Sequence, residues 1–213
     1  MSPTNGLVIA VPRGALFKQT LDLLDAIGVD TSEVRANDRK LLFRDVGIVT
    51  MRPSDVPTYV AAGAADIGIT GKDVLMEQVE REVYELLDLG YGRCTMVLAS
   101  VAGEDPMEEA LRRLGVMRIA TKYPKIAGRH LAATGRQAEM VEVKGSVELA
   151  PLTGLVDGIV DLTATGTTLA ENGLVVREEI VVCTARLIAN PVAHKLKAGA
   201  IDELLERVRA AGA

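Results

Sequence analysis

The chain has 213 residues, 48% of them hydrophobic and 25% charged, with a formal net charge of −5. These proportions exclude a disordered chain, which combines low hydrophobicity with high net charge. They also make duplex nucleic acid and anionic membranes poor default partners, because both select a basic excess. The two cysteines, Cys94 and Cys183, are too few for a disulfide framework or a four-thiolate zinc site and read as reduced, buried thiols of a cytoplasmic protein. His130 and His194, without a nearby cysteine pair, read as structural or surface residues, so no protein-held metal site is expected. No apolar run approaches the ~20 residues of a membrane span. The first residues lack the positive region of a signal peptide.

In chain order, LVIAV (7–11) reads as a buried strand, broken by Pro12, Arg13 and Gly14. Leu16, Phe17, Leu21, Leu24 and Ile27 follow at helical spacing, with Gly28 as the stop. KLLFRD (40–45) and VGIVTMR (46–52) read as strands, Val56, Tyr59 and Val60 as a helix face, and DIGIT (66–70) as a strand ending at Gly71. MRIAT (117–121) opens a second round, followed by a helix through Ile126, Ala127 and Leu131. This alternation predicts an α/β fold with a largely parallel sheet. IAVPRG (9–14) is echoed by IATKYP (119–124), and GAADIGI (63–69) by GLVDGIV (154–160). Shared α/β grammar or two similar lobes would each give such echoes. Two strand-like stretches, 84–101 and 174–191, would carry the chain across between lobes. That divides 1–93 with 182–213 from 94–181 and places a ligand cleft between them. A last amphipathic helix carries Leu196, Ile201, Leu204, Leu205 and Val208.

The stretch GIVDLTATGTTLAENGL (158–174) is the most informative. A buried strand carrying Asp161 runs into Thr163, Ala164, Thr165, Gly166, Thr167 and Thr168, and a helix begins near Thr168. Small residues let backbone N–H groups approach a phosphate, threonine hydroxyls donate to its oxygens, and an acid at the strand end suits ribose hydroxyls. An ordinary strand–turn–helix with threonine caps gives the same pattern. Neither a Walker loop nor a dinucleotide fingerprint is present. ITGKDVL (69–75) is a second strand–helix turn, in which Gly71 permits close approach and Asp73 is either a cap or a ligand contact. Arg13, Arg52 and Lys122 stand at the ends of predicted parallel strands, where α/β folds bind ligands, and Arg39-Lys40 adds a further basic pair. With two Phe, four Tyr and no Trp, a base-stacking platform for nucleic acid is not expected.

Along its whole length the chain resembles the short form of ATP phosphoribosyltransferase, the first enzyme of histidine biosynthesis. The carrying segments are VPRGAL (11–16), RPSDVPTYVAAGAADIGITGKDVL (52–75), LLDLGYGRC (86–94), RIATKYP (118–124), VKGSVELAPLTGLVDGIVDLTATGTTLAENGL (143–174) and RLIANPVAHK (186–195). The resemblance implies a two-lobed fold similar to type II periplasmic binding proteins. It implies attack by nitrogen 1 of the ATP adenine on the anomeric carbon of phosphoribosyl pyrophosphate, with release of pyrophosphate and a requirement for magnesium (Mg2+).

Asp161, Thr163, Ala164, Thr165, Gly166, Thr167 and Thr168 would hold the phosphoribosyl group. Arg13, Arg39 and Arg52 would be cationic contacts for pyrophosphate or ATP phosphates. Gly71, Asp73, Tyr123 and Glu148 would lie near the nucleotide, with Glu148 or Asp73 accepting the proton released after attack. Where the family reads Pro-Lys-Gly-Arg, this chain has Pro12-Arg13-Gly14-Ala15, so one family cation is missing, and Arg13, Lys18, Arg39 or Mg2+ must cover for it. The resemblance further implies no C-terminal regulatory domain, self-association, and pairing with a regulatory subunit similar to histidyl-tRNA synthetase in which histidine feedback resides. The rival readings are a periplasmic-type solute-binding module and a nucleotide-salvage phosphoribosyltransferase. The salvage type carries two adjacent acids where this chain has Asp161-Leu162.

Overall fold

The computed structural model describes residues 4–78 and 81–212. The chain divides into two compact units, one running up to Gly92 and resuming at Thr184, the other spanning Arg93–Cys183.

The first unit contains β1 (Ile9–Pro12), α1 (Phe17–Ala26), α2 (Ser32–Ala36), β2 (Leu42–Phe43), β3 (Ile48–Met51), α3 (Val56–Ala61), β4 (Ile67–Gly71), α4 (Lys72–Glu77) and β5 (Tyr84–Asp88). The second contains β6 (Cys94–Val101), α5 (Pro106–Leu114), β7 (Met117–Thr121), α6 (Pro124–Ala133), β8 (Ala138–Glu142), α7 (Leu149–Leu152), β9 (Gly158–Thr163), α8 (Thr167–Glu171) and β10 (Leu174–Cys183). The first unit is completed by β11 (Ala185–Ala189), α9 (Pro191–Leu196) and α10 (Ala198–Ala210).

Its sheet runs β2-β3-β1-β4-β11-β5, and the sheet of the second unit runs β10-β6-β9-β7-β8. In each, a central strand lies parallel between two neighbours: β1 between β3 and β4, and β7 between β8 and β9. The strand next to that trio is antiparallel in both, β11 against β4 and β6 against β9. The two units therefore follow one plan, which accounts for both sequence echoes.

The echo has a common hydrogen-bond pattern. Gly63 and Gly154, both at positive φ, close α3 and α7 and lead to an aspartate. Asp66 donates its N–H to the Val8 carbonyl at 2.9 Å and accepts the Val8 N–H on its carboxylate at 2.8 Å. Asp157 does the same with Arg118, at 2.9 and 2.7 Å. A basic side chain completes each clasp: Lys197 lies 2.8 Å from Asp66 and Arg118 3.2 Å from Asp157. Each clasp sets the register of the next row, Ile9 opposite Ile67 and Ile119 opposite Gly158.

The apolar periods fill the cores. Leu21 and Leu24 of α1 pack with Ile9, Val11, Ile67 and Ile69, and Ile201, Leu204, Leu205 and Val208 of α10 join the same cluster. In the second unit Val97, Ala120, Ile159, Leu169 and Leu174 share a core. Among the described residues no helix is long and apolar enough to cross a membrane.

Three expectations are corrected. The sheets are mixed rather than largely parallel: among the described residues four of nine strand pairings are parallel, because β2, β6 and β11 run antiparallel to the parallel trios, and β5 and β10 pair antiparallel with β11 and β6. Of KLLFRD only Leu42 and Phe43 are extended; residues 44–46 form a 3-10 turn ending at Gly47, whose φ of 68° favours glycine. Leu196 does not belong to the buried face of the last helix. It ends α9 and is 77% exposed, since the helix breaks at Lys197, whose ammonium reaches Asp66.

Asp66→Ala removes the acceptor of the Val8 N–H and the partner of Lys197. The expected loss of unfolding free energy is about 1–3 kcal/mol, that of stranding a donor away from water. Asp66→Asn should recover part of it by restoring one acceptor. Urea titrations of the three proteins check this; an alanine variant as stable as wild type would contradict the clasp.

Candidate functional site

In the second unit the candidate residues gather where β7 and β9 end. The strand ends are tied together by Thr121, a buried side chain that donates to the Val160 carbonyl at 2.7 Å and accepts the Tyr123 N–H at 2.8 Å. This fixes the start of α6, on which Tyr123 stands immediately before Pro124.

Asp161 lies on β9 at 6% exposure. One of its oxygens accepts the Leu162 N–H at 2.8 Å, and the other faces the Lys122 ammonium at 3.5 Å. Burial pushes its carboxyl above the ordinary carboxylate range; the Leu162 N–H and Lys122 pull it down, and the charge of Glu148 pushes it further up. Glu148, half-buried just before α7, is therefore an electrostatic neighbour of Asp161. Two acids and one lysine thus share this strand end.

The threonine turn begins directly after it. The Thr163 hydroxyl accepts the Gly166 N–H at 2.8 Å, closing the turn from inside, and the hydroxyls of Thr165 and Thr167 bond each other at 2.8 Å. Gly166 has φ +78°, with open space where a β-carbon would stand, so glycine is needed there for backbone conformation. Buried Leu169 anchors α8 beneath, while Ala164, Thr165, Thr167 and Thr168 are exposed. The result is a hydroxyl-lined turn, closed from inside by Thr163 and exposed at its surface.

The candidate residues of the first unit follow β1, β3 and β4. Arg13 follows β1 and is engaged locally. Its Nε donates to Thr50 Oγ1 at 2.9 Å, its Nη2 donates to the carbonyls of Lys40 at 2.8 Å and Asn37 at 3.3 Å, and its guanidinium stands 5.4 Å from the Phe17 ring centroid. It thereby clamps the loop that carries Arg39, an exposed side chain. Arg13 also lines a pocket of about 340 Å³ with Leu41, Thr50, Arg52, Asp55 and Tyr59. Gly71 and Asp73 do not line that pocket. They adjoin each other at the end of β4, where a β-carbon on Gly71 would overlap the Asp73 carboxylate. Lys72 between them is paired with Glu85 at 2.6 Å.

Sequence reasoning missed Thr121 and Thr50, whose hydroxyls hold the two strand ends, and Lys122 as the specific partner of Asp161. A buried threonine ending a strand carries no signal that separates it from ordinary β-branched filling. His130 bonds Glu178 at 2.8 Å beside Arg136, and His194 lies edge-on to Tyr84 at 5.5 Å between ring centroids.

A family model described as ATP phosphoribosyltransferase matches residues 52–210. An ATP phosphoribosyltransferase of Rubrobacter xylanophilus is 52% identical over 206 residues, covering 95% of both chains. One from a Geobacillus species is 45% identical over 206 residues, covering 95% of this chain and 97% of its own. Among solved structures, the ATP phosphoribosyl transferase (HisG:HisZ) complex from Thermotoga maritima matches with a TM-score of 0.81 and 35% identity, over 96% of this chain and 98% of that one. A protein crystallised bound to L-arginine matches with a TM-score of 0.58 at 14% identity, over 95% and 85% of the two chains, a likeness of fold alone. The class is that of glycosyltransferases that move a pentosyl group. Within it, the chain belongs to the ATP phosphoribosyltransferase family of histidine biosynthesis.

The raised Asp161 carboxyl gives a pH-dependent prediction. A folded value above the ordinary 3.8 means that the native state holds the proton more tightly than the unfolded chain. The contribution to stability is therefore full below 3.8 and lost as pH rises through the folded value. Asp161→Asn keeps an acceptor for the Leu162 N–H and removes the buried charge. It should melt above wild type at neutral pH, with the gap closing as pH falls toward 3.8. Thermal melts across that range check it; a variant less stable than wild type at pH 7 would contradict the burial argument.

Proposed function

We propose that the chain joins ATP to phosphoribosyl pyrophosphate: nitrogen 1 of adenine attacks the anomeric carbon, pyrophosphate leaves, and phosphoribosyl-ATP forms as the first step of L-histidine biosynthesis. The observation that carries this reading is the Thr163–Thr168 turn, set directly after a buried acid, in a chain of this family. The hydroxyls of Thr165, Thr167 and Thr168 donate to the 5-phosphate, and Gly166 keeps the backbone low enough for the phosphate to approach, beside Ala164. Asp161, oriented by Thr163's neighbour Leu162 and by Lys122, accepts from the ribose hydroxyls.

The transition state resembles an oxocarbenium ion with negative charge growing on pyrophosphate. No protein nucleophile is required. Holding the two substrates in line supplies much of the acceleration, and Arg39 and Arg52 stabilise the leaving group. Arg13 contributes through the loop it clamps, and so supports Arg39 where the family arginine is replaced by Ala15. Gly71, Asp73 and Tyr123 border the nucleotide. Glu148, half-buried and electrostatically linked to Asp161, takes the proton that the adenine loses after attack.

The family uses magnesium. Among the described residues no three His, Cys, Asp or Glu side chains gather into a cage. Mg2+ would enter with phosphoribosyl pyrophosphate and would supply charge neutralisation of the leaving pyrophosphate, beside Arg39 and Arg52. The Thermotoga maritima HisG:HisZ complex supports assembly of this chain with a regulatory subunit, in which sensitivity to histidine would reside. Cytoplasmic residence fits two reduced cysteines.

The test is pyrophosphate release from phosphoribosyl pyrophosphate, with ATP or free nucleobases as acceptor. Release with ATP alone is expected; release with a nucleobase and not with ATP points to salvage chemistry, and tight binding of a small solute without turnover points to a binding module. Thr165→Val and Thr168→Val should each raise KM for phosphoribosyl pyrophosphate ten- to a hundredfold, since a charged hydrogen bond contributes about 1.5–3 kcal/mol. KM for ATP should move less. Gly166→Ala should be worse than either, because the turn must then hold an L residue at positive φ. Steady-state kinetics on variants with native melting curves decide this; unchanged constants for phosphoribosyl pyrophosphate in all three would overturn the assignment.

A further inference from the structure

The two cysteines stand opposite each other. Cys94 opens β6 and Cys183 closes β10, and the antiparallel register pairs them directly. The Cys94 thiol lies 3.9 Å from the Cys183 carbonyl oxygen, so its sulfur reaches the backbone of its partner. Both are reduced. Residues directly opposite in an antiparallel pair have Cα atoms about 4.5–5.5 Å apart and side chains on the same face. A disulfide spans Cα separations of about 4.4–6.8 Å, so the backbone already meets that requirement.

Their position in the chain is equally specific. The chain leaves the first unit between Gly92 and Arg93 and returns to it between Cys183 and Thr184. Each cysteine is thus at, or one residue from, a point where the chain passes between units. In the adjacent register row Val182 pairs with Thr95, and Thr95 pairs with Thr163, the first residue of the threonine turn. A metal centre is a poorer fit, because among the described residues no third His, Cys, Asp or Glu joins the pair.

We infer that Cys94 and Cys183 form a modification site, a cross-strand dithiol that a hydroperoxide oxidises reversibly to a disulfide joining the two chain crossings. Cys94 is half-buried and meets the oxidant first, whereas Cys183 is 1% exposed. The Cys94 thiolate attacks one peroxide oxygen, the O–O bond breaks, and Cys94 becomes a sulfenic acid as the other oxygen leaves. The Cys183 sulfur then attacks the Cys94 sulfur, the S–O bond breaks, and that oxygen departs as water. Two thiols and one hydrogen peroxide give one disulfide and two waters. A dithiol reductant reverses the reaction by exchange.

The test uses the whole chain and hydrogen peroxide. After oxidation the protein is denatured in an alkylating reagent and its intact mass recorded. The expected product is lighter than the reduced chain by two hydrogens, carries no alkyl group, returns to two alkylated thiols after dithiothreitol, and forms at a rate independent of protein concentration. Proteolysis should yield one crosslinked peptide holding Cys94 and Cys183. In Cys183→Ser, or in Cys183→Ala if the serine variant does not fold, Cys94 should instead gain oxygen or pair between molecules. Wild-type protein in which both cysteines stay alkylatable, in which Cys94 gains oxygen without a crosslink, or in which the only disulfides join two molecules, would overturn the proposal.

Discussion

The structure depends on a carboxylate clasp used twice. Asp66 and Asp157 each exchange two hydrogen bonds with one backbone residue, Val8 immediately before the central strand β1 and Arg118 within the central strand β7. A parallel strand pair has no hairpin to fix its register, and a slip of one residue would turn every side chain to the wrong face. The clasp removes that freedom at the N-terminal end of the pair. Everything at the other end then follows by counting: four residues beyond Asp66 comes Thr70, and four beyond Asp157 comes Asp161.

Those two positions show how one plan serves two purposes. Thr70 is neutral, fully buried, and donates to the Pro53 carbonyl at 2.9 Å. Asp161 occupies the corresponding place in the second unit as an ionisable group that burial disfavours. A packed strand end has no structural need for such a charge, whereas the ribose-hydroxyl contact proposed for Asp161 would require one. Under that proposal, stability is given up where the chemistry is. In the first unit the guanidinium of Arg13 holds the loop of Arg39 through two carbonyls.

Much of this was legible in the sequence, and the failures have physical causes. The strand at 117–121 and the helix through Ile126, Ala127 and Leu131 were readable because each alternation or turn has a clear punctuation mark, Gly115 before and Pro124 after. The repeat was visible because its clasp needs an aspartate just after a helix-ending glycine. Strand direction was not, since pairing partners distant in sequence decide it, and β11 joins β4 from more than a hundred residues away. Leu196 stands five residues before Ile201 and so lies off the i, i+3, i+4 face that Ile201, Leu204, Leu205 and Val208 form, and the helix breaks at Lys197, which is drawn to Asp66. The threonine turn was the clearest functional signal. The partners of Arg13 were invisible, because backbone carbonyls have no sequence identity.

The central claim is that the Thr163–Thr168 turn receives the phosphate of a phosphosugar. Its most direct test is a titration of 15N-labelled protein with ribose 5-phosphate, followed by amide chemical shifts. The account predicts saturable shifts at Gly166, Thr167 and Thr168, abolished with ribose and weakened in Thr165→Val. Saturable shifts elsewhere in the chain, with these three amides unmoved, would contradict it.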